Sequence, residues 1–568
     1  MTGLGFTPYP PLSNDDFIGY IFLSTSPGWE SGSGSISIPL VNLRSEYHFR
    51  IFKWSLAEMI NSTTRFDNDH NPLPGTDHKL VESEVIGFEP GLGPEQVHLA
   101  FTGSVGEMRV MFVTCDGEDN VVRYGLTQRN MDRVVGTRVL SYEREDMCHA
   151  PANNSVGCRD PGLLNQLIFL NIRLKSGKVP FQVGSDCGGW SDTFSFVTPK
   201  VNLKETISFL IGDMGTATPY TTFDRTQPES SSTLKWINRD IEALGDKPAF
   251  ISHIGDISYA RGYVWLWDNF FNQIEPVASK VPYHVCIGNH EYDWPSQPWK
   301  PDWASSVYGK DGGGECGVPY SLKFKMPGNS SQLTGTRAPA TRNLYYSFDF
   351  GVVHFVYMST ETNFLTGSDQ YKPKDVPLKE KLIEQIEPLL VKNKVSLVLW
   401  GHVHKYERFC PLNNFICGSL DKNRDDNWEA YPVHVVLGMS GQDSQPKWDP
   451  REDHPNDPVF PQPEQSFFGA GQFGYTTIVA TKKKLTFSFV GNHDGEVHDV
   501  VEIMAPGQVP SDAGENSKEE ATESWYCVKN ISLLVCVAFV AYFLGFTSYF
   551  RKDAAIDKNW APLKNEEV

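Results

Sequence analysis

Hydrophobic residues follow two different patterns along the chain. Over residues 15–198, short apolar runs such as 97–101 and 108–113 alternate with turn residues, and helical periodicity is almost absent. Many short strands at regular spacing are typical of β-sandwiches. We therefore predict an N-terminal β module over residues 1–92 and a second, fibronectin III-like β-sandwich over residues 93–200.

Farther along the chain, the pattern changes to strands that alternate with helices. Apolar runs at 207–211, 249–254, 282–287 and 395–400 predict buried strands, and apolar residues at helical spacing between the first two runs predict a helix. An alternation of strands and helices is the signature of a layered α/β domain. The sequence therefore predicts a β plus α/β protein whose α/β domain covers residues 205–502.

The C-terminal part of the chain contains a long apolar segment. Residues 531–550 carry no charge and are followed at once by two basic residues. A helix of this length spans about 30 Å, the thickness of the hydrocarbon core of a bilayer. We predict a transmembrane helix over residues 525–552, with a polar linker at 503–524 before it and a polar tail at 553–568 after it. The alternative is a buried C-terminal helix.

The predicted membrane segment bears on localisation. The first residues lack a basic and apolar leader, and a predicted strand begins almost at once, so we interpret the start as truncated. The basic residues after the span favour a cytosolic tail, with the large domain on the secretory or extracellular side. The alternative is a tail anchor in the outer membrane of an organelle. Sequons at Asn61, Asn153, Asn329 and Asn530 fit a glycoprotein.

The composition is that of an ordinary globular protein with an acidic surplus. Hydrophobic residues make up 40% and charged residues 21% of the chain, which argues against disorder. The net charge is −19, and no basic stripe is present. A nucleic-acid partner is therefore excluded, because binding a phosphate backbone requires clustered positive charge. The sequence predicts no oligomeric state.

The ten cysteines exclude some metal and redox motifs but leave the disulfides open. None of them forms a CxxC pair, so a zinc ribbon or a thioredoxin-type centre is not predicted. Cys410 and Cys417 flank a short loop and are candidates for one disulfide. Cys148 and Cys158 are candidates for another. The alternative is that these cysteines are reduced, buried thiols.

Four short blocks carry candidate chemistry, and each of them follows an apolar run. They read Gly212-Asp213-Met214-Gly215, Gly255-Asp256-Ile257-Ser258-Tyr259, Gly288-Asn289-His290-Glu291 and Gly401-His402-Val403-His404. Side chains at the carboxyl ends of neighbouring strands converge on one crevice of an α/β sheet. A single block of this kind is usually a turn or a pair of loop histidines, but four of them in this order predict a hydrolytic centre with two metal ions.

The ligand types divide between two ions. A carboxylate can bridge two cations, and Asp256 is the natural bridge. The phenol of Tyr259 suits Fe(III) better than Zn(II). Asn289 offers a neutral carbonyl oxygen to a divalent neighbour, while His402 and His404 alternate along the chain, so that one can serve each ion.

The sequence around these blocks resembles the plant-type purple acid phosphatases, a group of calcineurin-like metallophosphoesterases. Stretches 254–262, 285–293 and 401–408 match that family nearly throughout, and 491–495 matches it more loosely. The resemblance covers roughly residues 15–505 and implies a four-layer αββα metallophosphoesterase domain. The apolar C-terminal segment is similar to that of a membrane-anchored subgroup.

The resemblance implies a specific centre and reaction. Fe(III) would be held by Asp213, Asp256, Tyr259 and His404, and a divalent Fe, Zn or Mn ion by Asp256, Asn289 and His402. The implied reaction is hydrolysis of phosphate monoesters at acidic pH by a metal-held hydroxide, with His290 positioning or protonating the leaving side. The alternatives are a phosphodiesterase and a non-catalytic, membrane-anchored binding protein on the same scaffold.

One family motif is missing from this chain. The family has a further histidine loop between the third and last blocks, which completes the divalent site. Between Glu291 and Gly401 this chain has one histidine, His354, which lies inside a predicted strand and which we interpret as structural. Residues 371–377 lead directly into a predicted helix at 378–390, so one βα unit of about 30 residues is predicted to be absent. A shortened transcript or a genuine loss explains the gap, and weaker divalent binding and slower turnover are expected.

Overall fold

The computed structural model describes residues 2–12, 17–53, 78–88, 93–104, 106–115, 119–131, 133–169, 177–199, 202–292, 311–327, 343–359, 383–418, 431–443, 465–505 and 532–537. Several predictions lie wholly or mostly outside these residues. They are the sequons at Asn61, Asn329 and Asn530, the junction at 371–377, the polar linker, most of the predicted membrane helix, and the C-terminal tail.

The N-terminal residues form an antiparallel sheet. Its N-terminal strands are β1 Thr2–Pro8, β2 Gly19–Phe22, β3 Tyr47–Lys53 and β4 His78–Glu82, and two 3₁₀ turns lie at Leu23–Thr25 and Trp29–Ser31. A fifth strand of two residues, Thr221–Thr222 of the α/β region, pairs with β2 at the edge of this sheet. Phe6 and Phe52 are fully buried in its core. The ring of Tyr220, from the α/β region, packs edge-on against Phe6 with 4.7 Å between ring centroids, so this sheet is joined to the rest of the protein.

The next region is built from two packed sheets, as predicted for a sandwich. Its strands are β5 Glu95–Ala100, β6 Met108–Thr114, β7 Val121–Tyr124, β8 Arg133–Gly136, β9 Arg138–Leu140, β10 Leu163–Phe169, β11 Lys178–Ser185, β12 Gly189–Trp190 and β13 Phe194–Val197, with a 3₁₀ turn at Arg144–Asp146. One sheet has the order β5-β6-β10-β9; the other has the order β12-β11-β7-β8, with β13 on β11. Phe169 of the first sheet packs against Tyr124 and Phe181 of the second, which places an aromatic core between them.

The α/β region begins with β14 Glu205–Gly212, β15 Thr221–Thr222, α1 Glu229–Ala243, β16 Phe250–Ile254, α2 Val264–Ala278, β17 Tyr283–Cys286, α3 Val318–Lys323, β18 Tyr345–Phe350 and β19 Val353–Met358. It continues with α4 Glu387–Lys392, β20 Val395–Trp400, β21 Tyr406–Asn413, β22 Ile416–Cys417, β23 Val433–Leu437, β24 Ser466–Ala470, β25 Gly474–Thr481, β26 Lys484–Gly491, β27 Val497–Met504 and β28 Ser532–Val537. The four predicted strands are confirmed as β14, β16, β17 and β20. Helix α1 confirms the predicted first helix, and α4 covers the end of the predicted helix at 378–390.

Two mixed sheets organise this region. One has the order β17-β16-β14-β25-β26-β27; the other has the order β18-β19-β28-β20-β23-β21-β22, with β24 paired to β21. Strands β14, β16 and β17 are parallel neighbours. Parallel strands are covered on both faces, which explains why their sequences are continuous apolar runs. Their carboxyl ends therefore lie side by side at one edge of the sheet.

Residues 532–537 form a strand and not the predicted transmembrane helix. Strand β28 runs parallel to both of its neighbours, with Ser532 opposite Val353 of β19 and Val537 opposite Trp400 of β20. In the described part of the chain, no helix is long and apolar enough to cross a membrane. Without β28, β19 and β20 would each have an unpaired edge inside the sheet, and unpaired buried backbone groups are costly. Strand β28 therefore fills the position between β19 and β20 in this sheet.

The structure contains two disulfides among its described residues, and one of them differs from the prediction. Cys410 is bonded to Cys417, as predicted. Cys148 is bonded to Cys316 rather than to Cys158, which is a buried free thiol. The bond connects the sandwich region to the segment before α3 across a sequence separation of 168 residues. Only the tertiary fold brings these two residues together, so their spacing in the sequence gave no sign of the pairing.

A buried ion pair makes a second connection between the regions. Arg44, which lies between β2 and β3, contacts Asp268 of α2 with 2.6 Å between Nη2 and Oδ2, and both side chains are almost fully buried. Asp268 also accepts a hydrogen bond at 2.7 Å from Gln96 of β5. One carboxylate therefore joins the N-terminal sheet, the sandwich and the α/β region.

The buried histidine of β17 predicts a loss of stability in acid. The Nε2 of His284 accepts a hydrogen bond from the main-chain N–H of Phe101 at 3.1 Å, which requires the neutral ring. Burial, aided by the positive charge of Arg109, lowers the pKa of His284 to about 3. Below about pH 6.5, His284 binds a proton in the unfolded chain but stays neutral in the folded chain. The free energy of unfolding therefore falls as pH drops from about 6.5 toward 3.

His284→Gln should reduce this pH dependence by about 1.4 kcal/mol per pH unit between pH 6 and pH 4. Urea unfolding at a series of pH values measures the slope. Val285→Ala changes a buried residue of the same strand that does not titrate, and it serves as the control, which should lower the stability but keep the wild-type slope. Equal slopes for wild type and His284→Gln would contradict the prediction.

Candidate metal centre

Two carboxylates stand at the ends of neighbouring parallel strands. Asp213 follows β14 and Asp256 follows β16, and each is almost completely buried. Both have left-handed backbone conformations, with φ of 52° and 30°. Such strain is uncommon outside glycine and concentrates at functional sites. The preceding turns thus point both side chains into the same crevice.

The close approach of the loops depends on glycine. A Cβ atom at Gly288 would lie 2.1 Å from Asp256 Oδ1, and one at Gly401 would lie 3.0 Å from Asp213 Oδ2. The first distance is impossible for a side chain, and the second is tight. Gly288 and Gly401 therefore allow the third and fourth blocks to reach the two carboxylates.

The hydroxyl of Tyr259 lies at the middle of the cluster. It is 3.3 Å from Asp213 Oδ1, 3.2 Å from Asp256 Oδ2 and 3.1 Å from His404 Nε2. Ligand atoms of Asp213, Asp256 and His404 all lie within 4.8 Å of one another. Two carboxylates, a phenol and an imidazole form a donor set suited to a hard, highly charged ion such as Fe(III). The residues predicted for the Fe(III) half of the centre fit that ion.

The other predicted ligands meet beside this cluster. The Nδ1 of His402 donates a hydrogen bond to Asn289 Oδ1 at 3.0 Å, and the main-chain N–H of His402 donates to Asp213 Oδ2 at 2.8 Å. His402 has a left-handed backbone, with φ of 70°. The structure thus places all six residues of the predicted metal set in one region, with Asn289 and His402 on the side where a divalent ion is expected.

A main-chain carbonyl orients His404. Its Nδ1 donates a hydrogen bond to the carbonyl oxygen of Asp443 at 3.0 Å, so Nε2 faces Tyr259 and Asp213. Outer contacts of this kind fix the tautomer of metal-ligating histidines. Burial lowers the pKa of His404, but the hydrogen bond and charge of Asp213 outweigh it and raise the pKa above its usual value.

The two carboxylates differ in their electrostatic surroundings. Burial raises the pKa of Asp213, although His404 opposes the shift. Burial also acts to raise the pKa of Asp256, but the nearby His290 and His402 outweigh it and hold the pKa below its usual value. Asp256 is therefore the carboxylate more strongly kept in its charged form, which suits a bridge between two cations.

His290 lies against the same cluster. Its ring packs on that of Tyr259 with 4.4 Å between centroids, and its main-chain N–H donates to Asp256 Oδ1 at 3.0 Å. The Nδ1 donates to the carbonyl oxygen of Asp311 at 3.1 Å. The ring packing and the Nδ1 hydrogen bond hold the imidazole in place, and Nε2 is the ring nitrogen that these contacts leave for a substrate.

Three residues of the site were not predicted from the sequence. Glu291 is fully buried, and its carboxylate accepts hydrogen bonds from the main-chain N–H groups of Ile257, Ser258 and Gly288, so it joins two ligand loops. The position of Glu291 within the third block was the only signal. Asp311 contacts Asn289 with 3.0 Å between Oδ2 and Nδ2, and nothing in its Gly-rich surroundings signals a site.

Arg225 is the third of these residues. It pairs with Asp443, and it lies close enough to His404 and Tyr259 for its charge to act on both. Its side chain is 35% exposed. An accessible guanidinium beside the cluster can contact a phosphoryl oxygen, because guanidinium groups match phosphate geometry. A lone arginine in a loop carries no sequence signal of such a role.

His354 does not lie at the cluster. It is the second residue of β19 and stands opposite Asp349 of β18, with 2.7 Å between its Nδ1 and Asp349 Oδ1. The carboxyl end of β19 lies four residues farther on, about 13 Å away along the strand. The interpretation of His354 as structural agrees with this position, and His354 does not replace the missing histidine loop.

Three family models match the chain over most of the described residues. "Purple acid Phosphatase, N-terminal domain" matches residues 94–198, "Calcineurin-like phosphoesterase" matches residues 206–406, and "Iron/zinc purple acid phosphatase-like protein C" matches residues 431–500. The second match contains all four sequence blocks.

Relatives with curated names extend the similarity over the whole chain. "Probable inactive purple acid phosphatase 9" of Arabidopsis thaliana is 52% identical over 610 aligned residues, covering 100% of this chain and 92% of the relative. The alignment is longer than the 568 residues of this chain, so the relative contains residues with no counterpart here. "Probable inactive purple acid phosphatase 1" of the same plant is 29% identical and covers 83% of this chain and 76% of the relative.

A solved structure shows the same fold. The purple acid phosphatase PPD1 from yellow lupin (Lupinus luteus) seeds aligns with a TM-score of 0.67 at 23% identity, covering 89% of this chain and 90% of that one. At this level of identity the comparison establishes the architecture, namely an N-terminal domain and a metallophosphoesterase domain built on mixed sheets.

Proposed function

Because the chain belongs to the purple acid phosphatase family, we propose that it is a phosphate-monoester hydrolase with a two-metal centre whose divalent half is weakened. The observation that carries the proposal is the convergence of Asp213, Asp256, Tyr259 and His404 around one point. A buried cluster of four metal-ligating side chains is costly to maintain without an ion to neutralise it. Its donor types support an iron site.

The proposed cofactors are Fe(III) and a divalent Fe, Zn or Mn ion. Asp213, Asp256, Tyr259 and His404 would hold the first, and Asp256, Asn289 and His402 the second. Together such ions activate a water and neutralise the charge of a phosphoryl group. The weakening follows from the ligand count, because His354 lies far from the cluster and no histidine loop stands in its place among the described residues.

The remaining polar groups around the cluster have proposed roles toward the substrate. The Nε2 of His290 is free of the contacts that fix its ring, so it can position or protonate the leaving oxygen of the ester. Arg225 stands on the iron side of the cluster, where its guanidinium can contact a phosphoryl oxygen and orient the substrate.

A second candidate function is a non-catalytic binding protein on the same scaffold. The missing histidine loop favours it, and so do the two Arabidopsis relatives that are named as probably inactive. The two functions differ in a measurable way. A hydrolase requires both ions and an intact bridging carboxylate, whereas a binding protein requires neither.

The decisive experiment compares the wild-type chain with Asp256→Asn after incubation with iron and manganese. Metal content and hydrolysis of para-nitrophenyl phosphate are measured together. We expect close to one iron and less than one manganese per wild-type chain, slow hydrolysis, and at least a 100-fold lower rate for Asp256→Asn. Asp349→Asn, on the solvent side of β18, is the matched control and should behave as wild type.

The alternatives give different results in the same experiment. A wild-type rate no higher than that of Asp256→Asn, with no iron bound, would support the binding protein and contradict the hydrolase. Two full equivalents of metal with rapid turnover would contradict the weakened divalent site.

The proposed location of the α/β domain is the secretory or extracellular side of a membrane. The disulfides Cys148–Cys316 and Cys410–Cys417 support it, because such bonds form and persist in oxidising compartments. The proposed partners are a phosphate-ester substrate and, through residues 531–550, a membrane. Membrane attachment requires β28 to leave the sheet, so the two arrangements of this segment exclude each other.

A further inference from the structure

We propose that Asp311 is the positioning residue of the divalent half-site: its carboxylate holds the amide of Asn289 in the orientation that presents the amide oxygen to the ion. The inference rests on the proposed function and names the support that remains where the histidine loop is missing. It concerns a residue that lies outside all four sequence blocks.

Hydrogen bonds engage both ends of the Asn289 amide. Its Nδ2 donates to Asp311 Oδ2 at 3.0 Å, and its Oδ1 faces His402 Nδ1 at 3.0 Å. An asparagine amide can rotate by half a turn, which would direct an N–H group toward a cation and repel it. A carboxylate accepts only from the NH₂ end, so Asp311 selects the rotamer in which the oxygen faces His402.

Asp311 also holds His290, the residue next to Asn289. Its main-chain carbonyl accepts a hydrogen bond from His290 Nδ1 at 3.1 Å. Asp311 therefore orients the predicted ligand Asn289 through its side chain, and it orients His290, which is predicted to contact the substrate, through its main chain. Burial raises the pKa of Asp311, while the nearby His290 and the Asn289 amide favour the charged form.

The segment that carries Asp311 packs closely against the rest of the protein. A Cβ atom at Gly313 would lie 2.0 Å from the carbonyl oxygen of Arg261, and one at Gly314 would lie 2.0 Å from that of His149. Two residues farther on, Cys316 is bonded to Cys148. A segment packed this closely against its surroundings keeps the Asp311 carboxylate in place, and rigid support is what makes an outer contact effective at a metal site.

Loss of the Asp311 contact should reduce metal affinity most in a half-site with few ligands. Asn289 is a neutral ligand, so its contribution depends on correct orientation, and no histidine loop compensates for its misplacement. Loss of an outer contact of this kind typically costs 10–100-fold in metal affinity. The Fe(III) half does not include Asn289, so it should be unaffected.

The test uses the full chain loaded with iron and titrated with Mn²⁺ alone, with binding followed by calorimetry and by the EPR signal of free Mn²⁺. Asp311→Ala should bind Mn²⁺ about 10–100-fold more weakly than wild type, with unchanged iron content. Asp311→Asn retains an oxygen acceptor for the Asn289 amide and should recover most of the affinity. Asp349→Ala, an acidic residue near the surface of β18, is the control, and the midpoint of thermal unfolding reports folding of each variant.

Several outcomes would overturn the inference. They are wild-type Mn²⁺ affinity in Asp311→Ala, equal losses in Asp311→Ala and Asp311→Asn, and a loss of iron together with Mn²⁺. Equal losses in the two variants would indicate that Asp311 is itself a metal ligand that acts through its charge. A loss of iron together with Mn²⁺ would indicate a structural role of Asp311. A wild-type chain that binds no Mn²⁺ also contradicts the inference, whereas one that binds Mn²⁺ without hydrolysing phosphate esters contradicts only the proposed function.

Discussion

A chain that ends at residue 505 is expected to lose its cooperative unfolding transition. Such a chain lacks β28, which pairs with β19 on one side and with β20 on the other. Each hydrogen bond of a ladder contributes about 1 kcal/mol net, and the total stability of a domain is only about 5–15 kcal/mol. Strand β20 leads directly into His402 and His404, so the metal centre should be lost with the sheet. Circular dichroism during heating and the iron content measure the two effects.

A chain that ends at residue 552 is the matched control, because it retains the apolar segment with its two basic residues and removes only the polar tail. It should unfold cooperatively and bind iron as the full chain does. A chain ending at 505 that remains folded would show that β28 is dispensable. If that shorter chain were also released from membranes that retain the full chain, residues 531–550 would serve as an anchor and not as a strand.

Glu291→Ala is expected to cause the largest loss of stability of any single substitution at the centre. The buried carboxylate accepts hydrogen bonds from Ile257 and Ser258 in one ligand loop and from Gly288 in the next, at 2.8, 3.3 and 3.2 Å. Leaving a buried donor without its partner costs about 1–3 kcal/mol. With three such donors we expect a loss of about 3–5 kcal/mol in the free energy of unfolding, together with loss of iron, because the Asp256 loop is no longer held.

Glu291→Gln separates the hydrogen bonds from the packing. Its single amide oxygen can serve one loop but not both, so it should lie between wild type and Glu291→Ala in stability and iron content. Asp246→Ala, an exposed carboxylate in the loop after α1, is the control. Urea denaturation measures the differences. A stability of Glu291→Ala within 1 kcal/mol of wild type would contradict the role of Glu291 as a support for both loops.

The ligands could be predicted from the sequence because their position depends on a general property of parallel sheets. Asp213 and Asp256 each follow an apolar run, and β14 and β16 prove to be parallel neighbours. Convergence then follows from topology alone, without knowledge of any side-chain contact. Tyr259 lies three residues after Asp256, and His404 lies two residues after His402, so each pair could be assigned to one loop from the sequence.

The supports of the centre could not be predicted because they depend on packing between distant segments. Asp311 is linked to Asn289 only through the path of the intervening chain, and the partner of Cys148 lies 168 residues away. The pairing of Arg225 with Asp443 likewise joins two loops that no pattern connects. Hydrophobic periodicity reports local structure and burial, and it carries no information on which loops meet.

The C-terminal segment shows how tertiary context overrides a local pattern. A run of 20 uncharged residues predicts a membrane helix by length and hydropathy. The run is also rich in valine, leucine and phenylalanine, which suit a strand covered on both faces. The position between β19 and β20 favours the strand for residues 532–537, and that position exists only in the folded sheet.

The order of synthesis gives this sheet a particular difficulty during folding. Strand β20 ends at Trp400, and β28 begins about 130 residues later, so two strand edges leave the ribosome long before their partner does. At 5–20 residues per second, the delay is on the order of 10 s. Exposed edges of this kind pair readily with other chains. Production of the protein should therefore depend on chaperones that cover the incomplete sheet, and slower translation should increase the fraction that aggregates.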